Sequence, residues 1–473
     1  LKHIKYIFYF FILVGFIYLN GCRPEEEFTT DPSIQLKFSA DTILFDTVFT
    51  QLTSGERRPI SVTKQLRVTN PSSNAIRVNI RLAGMAGNTY RLNVDGVPSN
   101  QVYGKEVMGK DSLIIFIQCY IDTTTNSGRD SAFIKEDEIV FETNGNQQQV
   151  KLVAWGQNAK YFNNQVLDCN SGNLVWTATK PYVIYDSILV PKGCTLTIEA
   201  GTKIHSFNKS CLLVAGTLIV NGTAENPVVF EGTRLDQEYK DLPNQWIGIR
   251  FLAGSKDNRI THAIIRNGFV GIEVDSQPVN TNPNLRITNT QIYNMAAVGI
   301  VGYSAHVEAI NNEISNCGQF GFFGALGGNY ILHHNTLAGI TSGFSRQNPF
   351  VVFDNSPYTD ANNQIIARYN LSFNVVNNII YGNLDDEFLL NNNPLGIAPT
   401  NLVLQTNLIK TEQPGLDANG NIINKDPLFE NTALINYKLK ENSPAKGKGT
   451  NLGITTDIKG NIRAATPSIG CWE

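Results

Sequence analysis

The chain has 473 residues, 42% of them hydrophobic and 17% charged, with a formal net charge of −3 at pH 7. Such a length exceeds what one ordinary hydrophobic core serves, so two domains or an elongated repeat fold is expected. With no basic excess to neutralise phosphates, nucleic acid is excluded as a partner.

Lys2 and Lys5 precede an apolar run, Tyr6 to Leu19. The run is shorter than the roughly 20 residues that span a bilayer as a helix, so it reads as the apolar region of a cleaved leader. It closes as Leu19-Asn20-Gly21-Cys22, a small residue before a lone cysteine. That is a lipoprotein signal: residues 1–21 form the signal peptide, Cys22 carries lipid, and 22–29 are a tether. More than one acyl chain on Cys22 supplies the stable membrane attachment that a single chain does not. Arg23-Pro24-Glu25-Glu26-Glu27 resembles the acidic stretch that sends lipoproteins to the outer leaflet in one large group of Gram-negative bacteria. The resemblance implies an outer-membrane, lipid-anchored protein facing the cell exterior. In that oxidising setting Cys119, Cys169, Cys194, Cys211, Cys317 and Cys471 either form disulfides or serve as small buried apolar residues. They include no CxxC and no Cys/His cluster, which argues against structural zinc.

Residues 30–158 alternate apolar and polar positions in short runs broken by turn residues, as in Gln65 to Thr69, Asn70-Pro71-Ser72-Ser73-Asn74 and Ile76 to Ile80. Period-two alternation of this kind predicts an antiparallel β-sandwich. The segments VTNPSSNAIRVNI and FETNGNQQQVKLVAWG resemble small immunoglobulin-like modules, which space or bind and carry no catalytic set. Asp122, Asp130, Glu136, Asp137 and Glu138 read as a solvated loop, with calcium as the alternative.

From residue 165 to 430 Gly, Asn and Thr punctuate short β-branched runs. Ile292-Tyr293-Asn294 with Gly299-Ile300 recurs as Ile314-Ser315-Asn316 with Gly321-Phe322, a shift of 22 residues at both landmarks. Ile265-Arg266-Asn267 precedes them at a wider spacing, so a longer loop is expected from Asp275 to Asn284. A fixed period of this size means a stack of units, each burying its apolar face against the next. TLTIEAGT, VAGTLIVNGT and NPVVF resemble the opening coils of right-handed parallel β-helix proteins. The expected fold is therefore all-β, an immunoglobulin-like sandwich followed by a right-handed parallel β-helix of some ten to twelve coils, about 50–60 Å long. Asn311, Asn312, Asn335, Asn377, Asn378 and Asn407 are expected to stack as amide ladders. His333-His334, on one strand, would place one ring inward and one outward. Asp426-Pro427-Leu428-Phe429 and the C-terminal cap that follows, residues 431–473, resemble the DPLF…SPA…DxxGxxR…DIGAYE end of surface β-helix proteins, departing from it at Ser468, Cys471 and Trp472. This segment is expected to cover the last coil against edge pairing.

β-Helices include polysaccharide lyases and hydrolases, yet fold is not function. Hydrolysis needs carboxylates about 6.5–9.5 Å apart for inversion, and lyase action needs a cationic base beside a neutralised uronate. Between Gln277 and Leu384 charges are few, and neither Glu308 nor Glu313 is followed by a carboxylate one coil later. The expected role is therefore non-catalytic: a rigid scaffold or binding subunit of an outer-membrane complex for β-barrel assembly or transport. The alternatives are a glycan-binding or polysaccharide-cleaving protein and an adhesin. For an enzyme, the candidates are Arg346, Arg368 and the acidic run Asp385-Asp386-Glu387. No cofactor is expected beyond calcium held by such acids.

Overall fold

The computed structural model describes residues 27–50, 63–85, 87, 89–121, 132–170, 173–278, 280–341 and 343–473. Residues 1–26, with the expected leader and Cys22, and Asp122 and Asp130 lie outside the described residues. Two compact units divide at Gly156.

The first unit has two five-stranded sheets. One places Thr63–Thr69 beside Ser112–Cys119 and that strand beside Tyr90–Val94, all antiparallel. The other runs Thr42–Phe49, Asn146–Gln157, Phe133–Thr143, Ile76–Leu82, Gln101–Val107. Alternation sets the faces: Ile76, Val78 and Ile80 are buried while Arg77 is exposed. Phe45, Leu66, Ile115, Phe141 and Leu152 meet in one core between the sheets. The predicted turn is locked by its first residue, because the buried Asn70 amide donates to the carbonyls of Asn74, Val107 and Met108 at 2.9–3.1 Å. This is the sandwich that alternation predicts.

The second unit is a parallel β-helix with three faces, and its first strand is Lys160–Val166. Each coil visits sheet III, then sheet I, then sheet II. In one coil these are Leu285–Thr288, Gln291–Met295 and Val298–Tyr303; the next opens with His306–Ile310. Ile292 lies opposite Ile314 and Ile300 opposite Phe322, so the 22-residue period is the register itself. The wider spacing before it is the loop 276–284 between Val270–Asp275 and Leu285–Thr288. Among the described residues sheet I stacks eleven strands, from Lys160–Val166 to Ile422–Ile423, within the ten to twelve coils expected, while sheet III has nine. Inward Ile, Val, Leu and Phe form one continuous core, closed near its start by the Cys169–Cys194 disulfide and the stacked Trp176 and Tyr182 rings. The other described cysteines, Cys119, Cys211, Cys317 and Cys471, are buried thiols.

The corner between sheets III and I shows how sequence sets the coil. Its first residue is left-handed in successive coils: His262, Asn289, Asn311, His334, Asn377 and Thr406 have φ of 47–61°. Asparagine tolerates that region better than most residues. Its second residue supplies the ladder. Asn335 Nδ2 donates to Asn378 Oδ1 at 2.9 Å and to Ala309 O at 2.8 Å, while Asn335 Oδ1 accepts from Asn312 N and Nδ2 at 2.9 and 3.0 Å. Asn378 repeats the pattern to Asn407, and Asn407 to Asn421. Asn311 and Asn377 are thus corner residues and not ladder members. His334 is likewise a corner residue, buried, and the alternation expected of two strand histidines fails there. His333 ends its strand with the ring outward against Asn374.

The final segment does not act only at the last coil. It runs back along the flank: Asn311 Nδ2 donates to Thr456 O, Arg463 Nη2 to Asn311 Oδ1, Gly470 N to Asn377 O and Cys471 N to Thr336 Oγ1. Ala338, Ile379, Leu408, Tyr437, Ile458, Ile469 and Trp472 pack as a separate apolar cluster beneath this strap. Cys471 and Trp472, the departures from the resemblance, are both buried in it.

Candidate functional site

Of the five sequence candidates, the structure brings two together. Arg346 Nη2 lies 2.6 Å from Glu387 Oε1, with both side chains almost wholly buried. The same nitrogen donates to Gly339 O at 2.8 Å, and Glu387 accepts from Phe350 N at 3.1 Å and Leu384 N at 2.9 Å. The pair therefore fastens the 340–350 insertion to the turn before Phe388–Asn391. Its neighbours diverge. Asp386 accepts from Thr411 Oγ1 and Glu412 N at 2.7 and 2.8 Å, and these bonds hold its carboxyl below the usual range. Asp385 points to solvent, 80% exposed, with Lys410 Nζ 3.9 Å away. Among the described residues no three His, Cys, Asp or Glu side chains converge as a metal site. Asp137 of the sandwich is buried and accepts from Gly84 N at 3.1 Å and Met85 N at 3.3 Å, bonds that close a loop.

Arg368 stands elsewhere, at the rim of an open groove of about 530 Å³ over the outward face of sheet III. One wall is the loop containing Gln277 and Asn280, and the other is Arg368, Tyr369 and Asn370 at the end of the 355–370 insertion. The floor is His306, Asn329 and Ser372, directly opposite one another on successive strands. Burial lowers the pKa of His306 despite the nearby Glu308, so the ring is neutral at pH 7.

Sheet II carries a second feature that lies outside the Gln277–Leu384 window of the charge survey. Glu273 and Asp275 alternate outward on one strand, and Arg250 sits opposite Glu273 one coil earlier. One nitrogen, Arg250 Nη2, reaches both carboxylates at 3.3 and 3.0 Å. Burial raises the pKa of Glu273, and Asp275 adds to the rise. Arg250 thus bridges the two acids. In the coils above, Phe320 and Phe323 stack at 4.8 Å and pack with Val298 and Val301 as an apolar patch. The sequence signal was present: an alternating Glu-x-Asp preceded about one coil earlier by Arg.

A wider hollow of about 800 Å³ on the sheet I flank is lined by Leu242, Ile340, Phe344, Leu434 and Tyr437. Leu434 is 76% exposed and Leu242 46%.

Residues 168–264 match the pectate-lyase-like β-helix domain family, about a fifth of the chain. No curated protein matches. Among solved structures the chain is similar to the catalytic unit of a thermostable GH87 α-1,3-glucanase from Streptomyces thermodiastaticus, at 12% identity and a TM-score of 0.30, covering 68% of each chain. It is also similar to a PapD-like domain of human CEP192, at 9% identity and a TM-score of 0.18, covering 28% of this chain and 92% of that one. The CooA pilin subunit of enterotoxigenic Escherichia coli matches at 10% identity and a TM-score of 0.18, covering 26% and 96%. The fold is a parallel β-helix preceded by an antiparallel sandwich.

Proposed function

We propose that the protein is a non-catalytic, lipid-anchored scaffold of the outer membrane that docks a partner complex, of the β-barrel assembly or transport kind, onto its β-helix. One observation carries the non-catalytic reading: the candidate acid and cation that do meet, Glu387 and Arg346, are sealed inside the fold as a structural bond. A general acid or base must reach the proton it moves. The exposed Leu242 and Leu434 beside the apolar hollow suit a protein partner, since contiguous exposed apolar surface marks such sites. The test is mild detergent extraction of the tagged protein and mass spectrometry of what co-purifies, repeated with Leu242→Glu and Leu434→Glu together. A stoichiometric membrane barrel lost in the double variant supports the scaffold; a protein that purifies alone and cleaves polysaccharide refutes it.

Glycan binding is the second reading, favoured by the polar groove at Arg368.

A further inference from the structure

Arg368 differs from most arginines of the β-helix, Arg259 being the other that meets no carboxylate among the described residues. Arg250, Arg266, Arg286, Arg346 and Arg463 each meet a carboxylate at 2.5–3.3 Å. Arg368 meets none among the described residues. Its Nε donates to Leu395 O at 2.7 Å, which fixes the plane of the guanidinium and leaves the two terminal nitrogens for something else. The described residues lining the groove include no Asp and no Glu, in a chain whose net charge is −3. The polar part of the lining is mostly amide and hydroxyl, from Gln277, Asn280, Thr281, Asn329, Asn370 and Ser372. Ser372 Oγ bonds Asn329 Oδ1 at 3.0 Å and Asn370 Nδ2 bonds Thr400 Oγ1 at 2.9 Å, so these groups are oriented before any ligand arrives.

We propose that this groove binds an anionic saccharide, with its charged group on the terminal nitrogens of Arg368 and its hydroxyls on Asn329, Asn370 and Ser372. A planar guanidinium matches a carboxylate or sulfate with two parallel bonds. An inorganic anion would leave most of the groove empty, whereas about 300–1,000 Å³ is the size of small-ligand sites. His306, neutral at pH 7, offers a ring and no second charge, so recognition of the anion rests on one residue. This binding deepens the glycan reading and does not depend on the scaffold reading.

The test is calorimetric titration of the full-length protein, in detergent, with three tetrasaccharides: one containing glucuronate, its methyl ester, and a sulfated neutral counterpart. The uronate or the sulfated sugar binds, the ester at least about tenfold more weakly, and affinity falls as salt screens the charge. Arg368→Ala weakens binding at least about tenfold, Arg368→Lys less, and Lys192→Ala, in a distant turn, leaves it unchanged. Ser372→Ala, about threefold weaker, keeps the test open if the arginine variants misfold. Uronate-only and sulfate-only binding distinguish the two sources of the anion. The proposal is overturned if no anionic sugar binds, if the methyl ester binds equally, or if Arg368→Ala and Ser372→Ala bind as the parent does.

Discussion

Replacing Asn335 by alanine tests what the amide ladder contributes. Asn335 Oδ1 is the acceptor for the Asn312 backbone N–H at 2.9 Å and shares Asn312 Nδ2 at 3.0 Å with Ile287 O at 3.1 Å. Alanine leaves the Asn312 N–H buried with no partner, worth about 1–3 kcal/mol, and weakens three further bonds at about 0.5–1.5 kcal/mol each. Ala309 O and Asn378 Oδ1 lose only one of their donors, so the lower end of that range applies to them. The total is about 3–5 kcal/mol. Asn421, partly exposed at the end of the ladder, accepts from Asn407 N and Nδ2 at 2.8 and 3.1 Å and has no rung beyond it, so with water able to replace part of what is lost Asn421→Ala should cost about 1.5–3 kcal/mol. Asn335→Asp should exceed both, since an oxygen would then face the oxygens of Asn378 and Ala309. Urea unfolding of the three variants, followed by circular dichroism, measures this order. A cost for Asn335→Ala below about 1 kcal/mol, or no difference between positions 335 and 421, would refute a cooperative ladder.

Three further outcomes follow from the structure. Arg346→Met or Glu387→Leu alone should destabilise by about 3–5 kcal/mol, since each strands a buried charge, and the double variant should recover most of the loss in the same unfolding assay. Glu313 is buried between Gln291 Nε2 at 2.8 Å and Trp472 Nε1 at 2.7 Å, and burial lifts its pKa from 4.5 to about 7. In that window the folded state holds a proton that the unfolded state has released, so the contribution of Glu313 falls as pH rises from 4.5 to about 7 and is constant above. Glu313→Gln should flatten that part of the stability–pH profile; an unchanged slope would mean that Glu313 ionises normally. Reducing Cys169–Cys194, separated by 25 residues, should lower stability by about 3.5 kcal/mol on chain-entropy grounds, measured by thermal unfolding with and without reductant.

The repeat was legible because a solenoid writes its register into the sequence: Ile292, Ile314, Ile300 and Phe322 sit where equal spacing puts them. The Asn-Asn pairs were legible as stacks but not as two roles, because corner and ladder residues are adjacent and of one type. What separates them is a sign of φ, which asparagine leaves open. Asp385, Asp386 and Glu387 read as one acidic loop since adjacency in sequence was the only information. The tight turn sends one to solvent, one to Thr411 and one inward to Arg346, a partner 41 residues away. The insertion that carries Arg346 has no repeat counterpart to reveal that pairing. The groove at Arg368 was equally hidden, being assembled from two insertions whose lengths the period does not predict.

The returning C-terminal segment alters how the array can come apart. In a simple stack each coil answers only to its neighbours, and an end can peel away at little expense. Here Arg463 grips Asn311 across 152 residues and Trp472 reaches Glu313 across 159. Coils made early in synthesis therefore wait for the last residues of the chain before their flank is sealed. Such long-range closure slows folding and makes it all-or-none.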